Sequence, residues 1–322
     1  MTSITDETLP ITPRAMRDEL IVFVIMALLL AIVPWTGIYP FFVMQALCFA
    51  LVACAFNLLI GYGGLLSFGH AMFLGTAGYC AAHALKVWSL PPELGIVVGT
   101  AAACALAVIT GYVSIRRQGI YFSMITLALS QLLYFIYLQV PFTHGEDGIQ
   151  GIPQGHLFGI FDLSKSTTLY FAVLVGFLAA FLLIYRTINS PFGEVLKSIR
   201  ENEQRAISLG YKTDQYKWLA FIISGTLAGF AGSLKVFVAQ NASLTDVHWS
   251  MSGEIVLMTL VGGLGTVFGP VVGAFVIIAM QQYLAGFGQW VTVIQGVIFV
   301  ACVLTFRRGV IGEIAHLLRR SL

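Results

Sequence analysis

The sequence predicts an all-α, polytopic integral membrane protein of about ten transmembrane helices, and three observations carry that prediction. Apolar residues make up 58% of the chain and charged residues 10%, against about 25% charged in an ordinary soluble protein. The apolar residues gather into runs near the ~20 residues that a helix needs to cross the hydrocarbon core. Within those runs apolar and polar residues do not alternate as in barrel strands, so helices must satisfy the backbone amides internally.

In chain order the runs cover 20–38, 40–60, 65–85, 94–115, 120–140, 168–185, 218–238, 253–284 and 290–306. The first has no small-residue cleavage site and follows a segment carrying acids as well as Arg14 and Arg17, so it reads as a retained span. The run 253–284 is long enough for one pass or for two short ones broken near 262–266, and the Lys and Arg distribution decides between them. With two passes, both termini are cytoplasmic. Arg14, Arg17, Arg116, Arg117, Arg186, Lys197, Arg200, Arg205, Lys212, Lys217, Arg307, Arg308, Arg319 and Arg320 then lie inside, and Lys86, Lys165 and Lys235 outside. A single pass would move the last four arginines outward. The chain thus divides into a cytoplasmic segment 1–19, a transmembrane domain 20–306 and a cytoplasmic basic tail 307–322. Within the domain, 141–167 is an outward loop and 187–217 a cytoplasmic segment.

A formal net charge of +2 gives no ground for a nucleic-acid partner. Cys48, Cys54, Cys80, Cys104 and Cys302 sit inside apolar runs without metal-ligand spacing and read as small core hydrophobes.

The cytoplasmic segment is the most charged part of the chain. From Pro191 to Gly210 it reads as one amphipathic helix, with Ser190 as cap, Pro191 at the first helical position and Glu194 in the first turn. Gly210 supplies the left-handed residue that ends it. Val195, Leu196, Ile199, Ala206 and Leu209 fall near one face. Two roles fit: a helix lying on the headgroups, or one that docks in a groove of a cytoplasmic partner.

Five strings, the first nested in the second, carry a resemblance. Gln204-Arg205-Ala206-Ile207-Ser208-Leu209-Gly210 is similar to the E-A-A-x-x-x-G loop of ABC importer permeases, matching at Ala206 and Gly210 but not at Gln204 and Arg205. The longer string from Ser190 to Gly210 resembles the LivM-type permeases of branched-chain amino acid ABC importers. So do Asn57-Leu-Leu-Ile-Gly-Tyr-Gly-Gly-Leu-Leu-Ser-Phe-Gly-His-Ala-Met-Phe-Leu-Gly75, Gln118-Gly-Ile-Tyr-Phe-Ser-Met-Ile-Thr-Leu-Ala128 and Gly262-Gly-Leu-Gly-Thr-Val-Phe-Gly-Pro-Val-Val-Gly273. The resemblance implies a permease subunit in a bacterial inner membrane, paired with a LivH-type second permease. Two cytoplasmic ABC ATPase subunits, carrying ATP and Mg, and a periplasmic substrate-binding protein would complete the importer. The chain itself has no Gly-x-x-x-x-Gly-Lys-Ser/Thr phosphate loop, so no cofactor is expected on it.

On this reading Arg200, Glu201, Asn202, Glu203, Arg205, Ala206 and Gly210 form the ATPase-docking set. Asn57, Gly61, Gly63, Gly64, Ser67, His70, Gly262, Gly263 and Gly265 are the candidate substrate path. The glycines fit either close helix packing or interrupted helices that expose backbone groups to a substrate. Asn57 and His70 equally suit hydrogen bonds between helices. Glu254 and Lys235 lie near the outer ends of their runs, from where Lys235 can snorkel to water.

Two other function classes are weighed. An ion-gradient-driven transporter usually keeps ionisable groups deep in its helices, and this bundle is expected to hold almost none. An intramembrane enzyme would need a group to orient Ser67 and His70, or a His-Glu-x-x-His helix, and neither is evident. The expected function is a non-catalytic permease without a metal. Branched-chain amino acids lead as substrate, with urea, amides and aromatic acids as alternatives within the same architecture.

Overall fold

Proline sets the start of several helices, where its missing amide proton costs nothing and its fixed φ suits the first turn. In the computed structural model these include α2 (Pro40–Asn57) and α4 (Pro92–Ser114), and the chain is described from α1 (Pro13–Ile32) onward. Between α2 and α4 lies α3 (His70–Lys86), and α4 is followed by α5 (Ile120–Gln139) and α6 (Ser166–Ile188). The structure describes residues 13–37, 39–159, 161–288, 290–305, 309 and 312–313. Of the expected cytoplasmic segment 1–19, positions 1–12 lie outside these residues, as do the tail arginines Arg307, Arg308, Arg319 and Arg320.

The chain then runs through α7 (Pro191–Glu201), α8 (Glu203–Ser208), α9 (Thr213–Ala239), α10 (Trp249–Gly262), α11 (Gly269–Leu284) and α12 (Trp290–Thr305). Among the described residues, five helical stretches are long and apolar enough to cross a membrane: Pro40–Tyr62, Pro92–Ser114, Ile120–Gln139, Ser166–Ile188 and Thr213–Ala239. Ile21–Trp35, Trp249–Gly262 and Gly269–Leu284 are shorter apolar helices. The chain is thus a mostly helical, multi-pass membrane protein. The long run 253–284 is divided into two helices, as the charge distribution predicts.

Helix α2 is the axis of the bundle. Its side chains are buried almost throughout, and it packs against α6, α9, α10 and α11. Beside it α3, α4 and α9 pack closely because small residues line their contacts. A Cβ on Gly229 would sit 2.1 Å from the Ala103 Cβ, and one on Gly232 2.2 Å from the Leu74 carbonyl oxygen. Apolar side chains on the outer helices, such as Leu29, Ile109, Phe135 and Val175, are exposed, as a lipid-facing surface requires.

Loops segregate to two ends. At one end β1 (Ile149–Gln150) pairs antiparallel with β4 (Asn241–Ala242), and β2 (His156–Leu157) with β3 (Phe161–Asp162). Lys86 donates to the Gln150 carbonyl there at 2.6 Å. The expected outward loop 141–167 is therefore partly ordered by short strands. At the opposite end lie the α2 terminus, the α10–α11 turn and the charged pair α7–α8.

Three readings of the sequence need correction. The single helix from Pro191 to Gly210 is two helices, because Asn202 leaves helical geometry (φ −156°, ψ 96°) and its Oδ1 accepts from the Arg205 amide at 3.0 Å. Asn competes with the helix for backbone partners and is more stable as a cap. Leu209 is consequently turned outward, 68% exposed. The third concerns Lys235. Lys235 does not snorkel freely but forms an ion pair with Asp246, both nearly buried, and lies over the Phe49 ring.

Candidate functional site

The two glycine strings, far apart in sequence, meet at one end of the bundle. Helix α2 widens into a π turn over Leu58–Tyr62, and the chain then runs irregularly to His70. Such a turn inserts a residue into the helical ladder and commonly marks a functional position. Asn57 fixes the meeting point: its Nδ2 donates to the Thr266 carbonyl at 2.8 Å, and its Oδ1 accepts from the Gly265 amide at 3.0 Å. Gly61 must lack a side chain, since a Cβ would lie 2.8 Å from the Gly265 nitrogen. Gly262 crosses Gly269 so closely that a Cβ would meet its carbonyl oxygen at 1.9 Å. Gly263 adopts φ +123° at this turn, a geometry few other residues accept. Gly309 packs onto Gly262 and Gly263.

Arg200 comes down on this junction from α7. Its Nη1 donates to the Gly61 carbonyl oxygen. The aliphatic stem lies over Gly64, where a Cβ would be 2.9 Å from the Arg200 Cγ. The arginine placed in the docking set thus makes its defining contacts within this chain.

The rest of the charged pair divides in the same manner. Ser190 accepts from the Gly193 amide as the predicted cap, and Leu196 and Ile199 are buried. Phe192 stacks on Tyr216 of α9, and Lys197 lies over the Tyr62 ring. Glu203 pairs with the buried Lys217 at 2.5 Å, tying α8 to α9. Ala206 is buried, whereas Glu201, Asn202 and Arg205 face outward. Gly210 (φ +89°) ends α8, and Tyr211 donates back to the Ala206 carbonyl at 3.1 Å. This is the closing bond of a helix C-cap.

Ser67 and His70 lie deeper. The Ser67 Oγ accepts from the Gly69 amide at 3.2 Å. Neighbouring strands of the loop are held by α5, where Thr126 accepts from the Phe68 amide and Ser123 donates to the Leu66 carbonyl. His70 is buried at the first position of α3, 2.8 Å from the Ser224 Oγ. Ser224 donates its only proton to the Ala55 carbonyl at 2.5 Å, so His70 Nε2 carries the proton of its bond. Its ring meets Phe56 edge-on at 4.9 Å. These contacts hold four helices together and leave the Ser67 hydroxyl without a base at hydrogen-bond distance among the described residues.

Sequence reasoning passed over Asp246, which lies outside the apolar runs and reaches Lys235 only because Gln240 turns the chain back (φ +53°). Thr266 was also missed, although it shares in the Asn57 clamp and caps the start of α11 by accepting from the Gly269 amide at 3.2 Å.

Comparison with known proteins is consistent with this architecture. A family model described as the permease component of branched-chain amino acid transport systems matches residues 38–303. The chain is similar to the high-affinity branched-chain amino acid transport system permease protein LivM of Salmonella typhimurium, 24% identical over 89% of this chain and 74% of the relative. It is also similar to the autoinducer 2 import system permease protein LsrC of Yersinia pseudotuberculosis, 29% identical over 58% of this chain and 55% of the relative. A third relative is the probable branched-chain amino acid transport permease protein LivH of Methanocaldococcus jannaschii, 28% identical over 47% of this chain and 50% of the relative. No solved structure matches. A match that begins just before α2 and ends within α12 takes in the interrupted helices, the glycine junction and the charged pair alike. The chain therefore belongs to the branched-chain amino acid transport system permease family, as a membrane-spanning subunit of an ABC importer.

Proposed function

We propose that the chain pairs with a LivH-type permease in the bacterial inner membrane and passes branched-chain or related amino acids inward. A periplasmic substrate-binding protein delivers the substrate, and two cytoplasmic ABC ATPase subunits supply the ATP and Mg chemistry. About ten spans with both termini cytoplasmic put α7–α8 on the side of the ATPases. This chain catalyses nothing itself.

One observation carries the docking assignment. Ile207, Leu209 and Tyr211 are exposed beside Arg205 and Glu201 at the charged end of the molecule, away from the lipid-facing helices. Apolar side chains rimmed by charge on a polar surface mark a protein contact. Asn202 and Gly210 shape this surface by breaking and ending the helices, and Glu203 and Lys217 fasten it to α9.

Movement of a docked α7–α8 pair reaches the bundle through Arg200 and the glycine junction. Gly61, Gly63 and Gly64 on one side and Gly262, Gly263 and Gly265 on the other serve as the inner end of the substrate path, with Asn57 holding them shut. Ser67 and His70 brace the interrupted start of α3 alongside that path. Nucleotide and binding protein then bias two arrangements of the spans, facing outward or inward.

The test is a variant carrying Arg205→Glu with Leu209→Asp. It is expected to insert and to pair with the second permease but to lose the ATPase subunits on purification. Recovery of those subunits at the wild-type yield, with transport at full rate, removes the docking assignment.

A further inference from the structure

Helix α6 reaches the charged end of the bundle with an arginine in its last turn. Arg186 is exposed there, and among the described residues it makes no ion pair or hydrogen bond. Back along the same helix face, Ala179, Leu182 and Leu183 are exposed as well. Together with Ile223 of α9 they wall an open groove of about 660 Å³ that ends at Arg186. From Ala179 to Arg186 the helix rises about 10 Å at 1.5 Å per residue, so the groove lies within the final half of a membrane-spanning length.

The start of α7 adds to the positive character of the arginine end. Ser190 and Phe192 line the same groove. Ser190 takes the Gly193 amide as its cap and Pro191 has no amide proton, which leaves the Phe192 amide as a donor that no helix bond can satisfy. The positive end of the α7 dipole therefore borders the groove beside a guanidinium. Glu194, the acid of that first turn, is held by Lys197 at 2.8 Å and is not among the lining residues. A smaller groove of about 310 Å³ beside Arg116, near the start of α9, lacks this character. Arg116 donates to the Tyr112 hydroxyl and lies over its ring, and Asp214 in that groove opposes an anion.

A basic group at the membrane boundary, at the end of an apolar groove between spans, is the pattern that holds a phospholipid headgroup. We propose that Arg186, the start of α7 and the α6–α9 groove bind one anionic phospholipid of the leaflet on the α7–α8 side. The guanidinium pairs with the phosphate through two parallel N–H donors, and the α7 dipole strengthens the attraction. One acyl chain lies along Leu182, Leu183 and Ile223. The lipid thereby pins the start of α7 to the membrane surface. This site goes beyond the importer reading and needs only that α6 crosses the bilayer.

The test is native mass spectrometry of the full chain, purified in neutral detergent with the subunits that accompany it. The protein is titrated with dioleoyl phosphatidylglycerol or with dioleoyl phosphatidylcholine. The wild type is expected to retain one phosphatidylglycerol at least fivefold more strongly than phosphatidylcholine. Arg186→Gln should reduce that preference below twofold, and Arg186→Lys, which keeps the charge, should recover part of it. Ala179→Trp fills the apolar part of the groove and should weaken phosphatidylglycerol several-fold. Equal retention of the two lipids by the wild type, or an unchanged preference in Arg186→Gln, overturns the site. Full displacement by millimolar inorganic phosphate, or full retention by Ala179→Trp, leaves only a phosphate site and overturns the lipid. Loss of the lipid once a second permease is bound makes the groove a subunit interface and also overturns the proposal. If Arg186→Gln cannot be purified, phosphatidylglycerol with a photoreactive diazirine in its acyl chain is crosslinked to the unaltered protein. Adducts within 179–187 or at Ile223 support the site, and adducts confined to other spans overturn it.

Discussion

Asn57 and Gly265 stand 208 residues apart in sequence, yet the Asn57 side chain accepts the Gly265 amide while donating to the neighbouring Thr266 carbonyl. A single primary amide thereby satisfies a donor and an acceptor of the turn between α10 and α11. This is a stronger constraint on the α2 terminus than packing of glycines alone. Asn57→Leu leaves both backbone groups unpaired, at a cost of about 1–3 kcal/mol for each that water cannot reach. The variant should lose thermal stability in detergent, read as a lower midpoint of aggregation. Asn57→Asp, which keeps the acceptor and loses the donor, should fall between the two.

The α4–α9 contact makes a second prediction, independent of the junction. Gly229→Ala places a methyl group 2.1 Å from the Ala103 Cβ, so the helices must part. Overpacking of this kind costs about 1–3 kcal/mol. Ala103→Gly, added to Gly229→Ala, frees the space and should recover most of the lost stability. Thermal midpoints of the two singles and the double variant measure the recovery directly.

How much of this was legible in the sequence depends on the range of the cause. Ser190 as a cap, Gly210 as a left-handed stop and the break after Gly262 are local, and each is fixed by a residue with few other uses. The split at Asn202 is local too, but a run of good helix formers on either side hides a side chain that prefers to cap. The direction of Arg200 could not be read, because a charged residue on an amphipathic helix is equally at home facing a partner or its own chain. The meeting of the glycine strings and the Lys235–Asp246 pair are tertiary, and nothing adjacent to either residue announces its partner. Family resemblance supplied the importer class, which composition and charge placement alone left open to a gradient-driven carrier.

The Lys235–Asp246 pair carries a third prediction. Both side chains are about nine-tenths buried, at 12% and 10% exposure. Removing one partner of a buried pair leaves the other charge uncompensated and costs about 3–5 kcal/mol, whereas replacing both by apolar groups is often neutral. Lys235→Met should therefore destabilise the protein severely, and Lys235→Met with Asp246→Leu should be close to wild type in thermal midpoint. If the double variant is stable yet inactive in transport, the pair serves function rather than folding.

At the end of the bundle that carries the short strands, Asp162 is partly exposed, and its carboxyl is held below its ordinary value near 3.8, first by the Ser164 hydroxyl and then by the Ser164 amide. A folded-state pKa below the unfolded one contributes order that is complete above the ordinary value and lost as pH falls through the depressed one. The β2–β3 hairpin should accordingly loosen only in strong acid. Ser164→Ala removes the larger cause, so the onset should move to higher pH. Pepsin cleavage near Leu157 and Phe161, compared between the two proteins at each pH, reads that onset.

Arg200 yields the last prediction. Its head group lies on the Gly61 carbonyl and its stem on Gly64, so α7 cannot shift without either carrying the α2 terminus along or breaking this bond. The Asn57 clamp passes the same displacement on to Gly265 and so to the α10–α11 hairpin. Arg200→Ala leaves the exposed docking surface of Ile207, Leu209 and Tyr211 in place, and the ATPase subunits should still co-purify. Transport per ATP hydrolysed should fall several-fold, because the motor then turns against a slack joint. Arg200→Lys reaches toward the same carbonyl with a single donor head and should recover part of the coupling. A ratio unchanged by Arg200→Ala would mean that α7–α8 moves the bundle by another route, through Glu203 and Lys217 to α9.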